Sequence, residues 1–145
     1  MPSEFTFRRR VEFADTDAAG LVHFTALFRF MEEAEHAFYR SLGGAAFQWR
    51  EDRVVGMPRV AASCEFLAPI GYGEEIVVHL VVREKRAKVL RYDVGFSRDD
   101  EDGPAQVASG SMTVVYAQRR HGEAAWAGAD LPPELARQIE VVEGG

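Results

Sequence analysis

The chain has 145 residues, 47% hydrophobic and 28% charged, which is the arithmetic of one compact soluble domain over 1–145. No run approaches the roughly 20 apolar residues of a membrane helix, and the opening MPSEFTFRRR lacks the charged-then-apolar order of a secretory signal, so a cytoplasmic location is expected. The single cysteine, Cys64, cannot make an internal disulfide, and a net charge of −6 speaks against a general nucleic-acid binder. An anionic ligand would need a local basic patch.

The first segment alternates, with Phe5, Phe7, Val11 and Phe13 on one face and Thr6, Arg8, Arg10 and Glu12 on the other, the period of a half-buried strand. Residues 14–20 read as a loop by composition. A helix is expected from Phe24 to Leu42, because Phe24, Leu27, Phe28, Met31, Ala34, Phe38 and Leu42 recur at spacings of three and four. Phe30 and Ala37 widen this stripe, Arg29, Glu33, His36 and Arg40 mark its wet edge, and Gly43-Gly44 ends it. So wide an apolar surface needs other structure around it.

Residues 45–57 read as a loop carrying Phe47 and Trp49, which could line a pocket or a subunit contact. From Pro58 the chain is strand-rich. Val60, Ala62, Cys64 and Phe66 alternate, Ile76 to Arg83 is a β-branched run, and Leu90, Tyr92, Val94 and Phe96 alternate again. An acidic hairpin loop over 99–104 leads into a last strand, Val107 to Ala117. Pro132-Pro133-Glu134 opens a short helix, to about residue 141, with Leu135 and Ile139 able to dock. Strand, long helix and four hairpin-spaced strands make an α+β architecture, an antiparallel five-stranded sheet around one central helix. The helix's outer apolar positions imply a dimer.

Chemistry concentrates in Asp15-Thr-Asp17-Ala-Ala-Gly20-Leu-Val-His23-Phe24, between the first strand and the helix. A carboxylate beside a helix N-terminus can attack an acyl carbon or activate water while free N–H groups hold the oxyanion. Asp and Thr are also ordinary caps and turn formers before a helix, and the residues alone leave both readings open. His23, His36, His79 and His121 have no zinc-ligand spacing, so no metal is expected. No Gly-x-Ser-x-Gly elbow is present, and Cys64 reads as a small core residue rather than a nucleophile.

The stretch Phe13-Ala-Asp-Thr-Asp-Ala-Ala-Gly20-Leu-Val-His-Phe24, with the helix bearing Glu32 and Ala34, resembles the 4-hydroxybenzoyl-CoA thioesterase family of hotdog-fold acyl-CoA thioesterases. It is also similar to thioesterases acting on 1,4-dihydroxy-2-naphthoyl-CoA. The likeness runs over about residues 5–120. It implies hydrolysis of an acyl-CoA to a carboxylate and free coenzyme A, with an aromatic acyl group slightly preferred. It implies Asp17 as nucleophile or general base and the Phe24 backbone N–H as the group polarising the carbonyl. Gly20 would permit close approach between them, and Asp15 would hold the loop. His23 would assist Asp17 or line the pocket, and Glu32 would orient the loop or serve as a buried partner. Thr25 and Ala26 depart from the Asn-rich versions of the motif.

The same likeness assigns Lys85, Arg86 and Lys88 to the phosphates of coenzyme A, whereas charge pattern alone makes them a solvated hairpin tip. Arg119 and Arg120 are weaker candidates. No cofactor is implied, since coenzyme A belongs to the substrate. The implied partner is a second copy, as a homodimer, with a homotetramer as a further option. The rival functions are a hotdog dehydratase or hydratase and a non-catalytic acyl-thioester-binding protein.

Overall fold

A computed structural model describes residues 2–142, so Met1 and residues 143–145, the ends of the single domain expected over 1–145, lie outside the described residues. In chain order the elements are β1 (Glu4–Arg10), α1 (Ala26–Ser41), β2 (Phe47–Trp49), β3 (Arg53–Gly56), β4 (Arg59–Phe66), β5 (Glu75–Lys85), β6 (Val89–Asp100), β7 (Gly103–Val115), β8 (Ala117–Arg120), β9 (Ala127–Gly128) and α2 (Pro133–Ala136). Five of the strands form an antiparallel sheet in the order β1-β5-β6-β7-β4, as expected.

Helix α1 packs on this sheet because its stripe is apolar at the required spacing. Leu27, Phe30, Met31, Ala34 and Phe38 are buried against Ile76, Val78 and Leu80 of β5 and Tyr92, Val94 and Phe96 of β6. Each large side chain so buried contributes about 1.5–3 kcal/mol. The helix starts two residues later than its pattern implies. Phe24 is 62% exposed, and the Ala26 N–H closes a turn onto the His23 carbonyl before regular helix begins. Likewise β1 stops at Arg10, and Phe13 sits 79% exposed on a short 3₁₀ turn, not on the strand's inner face.

Residues 45–57 are not a loop. They supply β2 and β3 to a second sheet of order β2-β3-β8-β9. Val54 and Val55 are buried there, but strands of three and four residues are too short to display a period of two. The last expected strand divides for the same reason. Tyr116 donates its N–H to the Lys88 carbonyl, ending β7, and Ala117 starts β8 in the other sheet. The acidic hairpin tightens to Glu101-Asp102, and α2 is four residues long, with the chain beyond it docking Ile139 into the core.

Strand β4 forms one edge of the main sheet. Among the described residues it pairs only with β7, and Val60 and Phe66 are 63% and 51% exposed. Cys64 alone in its middle turns inward, half-buried against the core, and burial pushes its thiol up to about 11. Gly110 of β7 allows the strands to approach, since a Cβ there would collide with the Ser63 carbonyl oxygen. Among the described residues no helix is long and apolar enough to cross a membrane.

Candidate active site

Asp17 stands where the chain turns back before the helix. Its Oδ1 accepts the backbone N–H of Ala19 at 2.8 Å and of Leu21 at 3.2 Å, and its own N–H bonds the Leu21 carbonyl at 2.7 Å. Gly20 makes this turn at φ +80°, and a Cβ there would meet nothing within 4 Å. The glycine therefore serves backbone conformation, not close approach. Oδ2 has no hydrogen-bond partner among the described residues. With Leu21, Leu27, Phe66, Leu67 and Ile70, Asp17 lines a cavity of about 360 Å³. An exposed carboxylate pinned by one oxygen at the mouth of an apolar cavity has its other oxygen available for chemistry.

The helix entry supplies the complementary group. Thr25 donates its N–H to His23 Nδ1 at 3.2 Å, while the Phe24 N–H bonds nothing among the described residues. A free amide one residue before the cap of a 16-residue helix lies at the positive end of its dipole. His23 Nδ1 is also 2.7 Å from Thr25 Oγ1, and its ring stacks on Phe24. The imidazole is thus engaged locally and forms no His–Asp pair with Asp17.

Asp15 holds the loop from behind, as the family resemblance implied, through arginine partners that the sequence did not single out. Asp15 is 1% exposed, accepts the Glu12 N–H, and is bound by Arg9 at 2.8 Å and Arg29 at 3.1 Å. Burial alone would raise its carboxyl, but these donors hold it below the usual carboxylate range. Arg9 also bonds Glu33 of α1 at 2.7 Å and lies over the Phe30 ring. Loop and helix are therefore clamped by one guanidinium. The signal was parity: Arg9 falls on the face of β1 shared by Phe5 and Phe7. Across the cavity, Arg98 bonds the Pro69 carbonyl and Glu74, whose Oε2 accepts the Gly71 N–H.

Glu32 neither touches the loop nor is buried; it is 54% exposed and pairs with Arg59 of β4 at 3.2 Å. The buried helix acid is Glu35, bonded to Arg59 at 2.5 Å and to the Tyr39 hydroxyl at 2.9 Å, with Tyr92 next in the chain. Burial, outweighing Arg59, pushes its carboxyl up to about 7.

The basic turn is remote from Asp17 within one copy. Leu21 bridges Gly71 at the N-terminal end of β5, whereas Lys85 closes its C-terminal end, about 30 Å away at strand rise. Lys85 Nζ donates to the carbonyls of Ala136 and Ile139, Arg86 pairs with Glu84, and Lys88 pairs with Asp130. Arg119 lies over Trp126 and bonds the Glu123 carbonyl. Among the described residues no cluster of His, Cys, Asp or Glu could hold a metal ion.

Comparison with known proteins decides the family. The profile described as the Thioesterase-like superfamily matches residues 11–139. The chain belongs to this superfamily. Within it, a 1,4-dihydroxy-2-naphthoyl-CoA hydrolase of Prochlorococcus marinus (strain MIT 9313) is 32% identical over 92% of this chain and 87% of its own. A 4-hydroxybenzoyl-CoA thioesterase of Pseudomonas sp. (strain CBS-3) is 27% identical over 85% of this chain and 89% of its own. A protein of Aquifex aeolicus (strain VF5), provisionally named an esterase, is 42% identical over 55% of this chain, a match spanning 62% of that protein. The crystal structure of a 1,4-dihydroxy-2-naphthoyl-CoA thioesterase from Synechocystis superposes with a TM-score of 0.76 at 25% identity, covering 94% of this chain and 95% of that one. The sheet-wrapped helix is the hotdog fold of these thioester hydrolases.

Proposed function

We propose that the protein hydrolyses acyl-CoA thioesters, with aromatic acyl groups preferred, at a centre built on Asp17 and the Phe24 N–H. One observation carries this reading: a carboxylate pinned through Oδ1 at an apolar cavity, with an unused helix-entry amide seven residues on. As general base, Asp17 takes a proton from water, and the water oxygen bonds to the thioester carbon. The carbonyl oxygen becomes an oxyanion held by the Phe24 N–H. Collapse breaks the C–S bond, and the leaving thiolate takes the proton back from Asp17. As nucleophile, Asp17 Oδ2 instead bonds to the acyl carbon, the C–S bond breaks and the CoA thiolate leaves. Water then cleaves the resulting anhydride, freeing the acyl acid and the Asp17 carboxylate and supplying the proton that the thiolate takes up. The relatives named for aromatic CoA thioesters support the acyl preference.

The working unit of this reading is a homodimer paired along β4. That strand presents eight residues of free edge, and Val60, Phe66 and Leu67 along it, with Leu21 and Phe24 at the loop, are exposed apolar side chains. An open apolar edge invites a second chain. Arg86 and Lys88, whose exposed ion pairs are each worth little, would meet the phosphates of a CoA held at another copy's Asp17. Lys85 is committed to the C-terminal segment.

The test is a thiol-release assay over matched aromatic and aliphatic esters of CoA and of pantetheine. Aromatic esters should give the higher kcat/KM, and replacing Arg86 and Lys88 by Ala should raise KM for CoA esters only. Absence of thiol release from every ester overturns the reading, and equal KM effects on both carriers remove the phosphate role.

A further inference from the structure

The residue at the cap position of α1 does not cap it. Thr25 is of the type that bonds the amides of a first helical turn, yet its side chain makes no such bond. Its Oγ1 lies 2.7 Å from His23 Nδ1, and its N–H donates to the same nitrogen at 3.2 Å. An amide N–H can only donate, so Nδ1 is the unprotonated nitrogen. The Thr25 hydroxyl then donates to it as well, and the ring proton sits on Nε2.

His23 is fixed through its backbone too. Its N–H donates to the Asp15 carbonyl and its own carbonyl accepts the Ala26 N–H, each at 2.8 Å. Its ring stacks on Phe24 with centroids 4.7 Å apart. The Thr16–Val22 bridge and the Asp17 N–H bond to the Leu21 carbonyl make residues 15–23 a small antiparallel hairpin. Asp17 lies on one arm, and Phe24 follows the end of the other. His23 thereby sorts the amides of the helix entry. It takes the Thr25 N–H with its ring and the Ala26 N–H with its carbonyl, while the Phe24 N–H stays free among the described residues. A donor stabilises an oxyanion well only when it is aligned beforehand.

We propose that His23 is the positioning residue for the oxyanion donor: its Nδ1 ties down Thr25 so that the Phe24 N–H is held for the reacting carbonyl. The proposal rests on the thioesterase reading and deepens it. The imidazole moves no proton in this role; its acceptor nitrogen is what counts.

Two substitutions separate the acceptor from the ring. His23→Phe keeps a ring to stack on Phe24 and removes the acceptor. His23→Asn removes the ring and restores an acceptor, since an asparagine side-chain oxygen takes the N–H two residues on. His23 is exposed, so neither variant empties the core. On an aromatic acyl-CoA, His23→Phe should lower kcat about tenfold with KM within about twofold of wild type, because the donor matters more in the transition state than in the ground state. His23→Asn should recover most of that loss. Unchanged kcat in His23→Phe overturns the proposal, as does a rise in KM alone, the mark of a residue that only lines the pocket. Equal loss in both variants overturns it too, since an amide does not replace a proton-transferring imidazole. Nitrogen-15 NMR of the wild-type imidazole at mildly alkaline pH gives a readout independent of turnover. A proton on Nε2 is expected, and a proton on Nδ1 contradicts the proposal. Wild-type protein with the Nε2 proton but no thiol release defeats the thioesterase reading, and the positioning role with it.

Discussion

Asp17 and Asp15 are two residues apart and do opposite work. Asp15 is buried and bound by Arg9, Arg29 and a backbone N–H, while Asp17 is exposed with one oxygen unbonded among the described residues. Spacing alone did not separate them. The motif's resemblance assigned the reactive role to the second acid, and the hydrogen bonds supply a physical reason for the first being structural. Gly20 shows how residue-scale reasoning can identify a position and mistake its cause. Its φ of +80° leaves space for a Cβ but penalises one conformationally. Gly20→Ala should therefore destabilise the fold by about 1–2 kcal/mol and loosen the loop, so that kcat falls more than the melting temperature alone would explain. Unaltered stability and kcat in that variant would show that the left-handed turn is dispensable.

At the scale of elements, α1 and the main sheet were legible because their apolar periods run over many residues. The second sheet was not, because β2, β3, β8 and β9 are two to four residues long and its two halves are joined only by the pairing of β3 with β8, distant in sequence. The Glu35 network was hidden for another reason: a glutamate in a helical pattern reads as solvated. It ties α1 to the start of β4 through Arg59 and to β6 through Tyr39 and Tyr92. Its carboxyl rises from 4.5 to about 7 on folding. Between those values the folded protein binds more protons than the unfolded chain, so this group makes stability fall as pH rises through that window. Below about 4.5 the group is protonated in both states and the effect is absent. Thermal unfolding of wild type and Glu35→Gln from pH 4.5 to 8 should show a decline over that window in wild type that is reduced in the variant. Parallel curves would place the pH dependence elsewhere.

For the whole molecule, net charge described what the surface does on average and missed how its charges are distributed. The acidic total of −6 coexists with the basic turn at 85–88, which lies at the far end of β5 from Asp17. The turn's distance and the open β4 edge lead to the same conclusion. We propose that one copy holds the reactive groups and that a second copy supplies the basic turn. The sequence carried the reactive loop as a local motif. The likeness to hotdog thioesterases also implied a site assembled between subunits, but which residues a second copy would bring to it depends on where strand ends fall in space.

We propose that Asp17 carries out the hydrolytic step. This is tested by comparing kcat for an aromatic acyl-CoA in wild type and Asp17→Asn, with binding of the same ester measured alongside. Loss of kcat by about 10²–10⁴-fold with binding preserved is the predicted result. An asparagine variant that turns over at the wild-type rate would contradict the account.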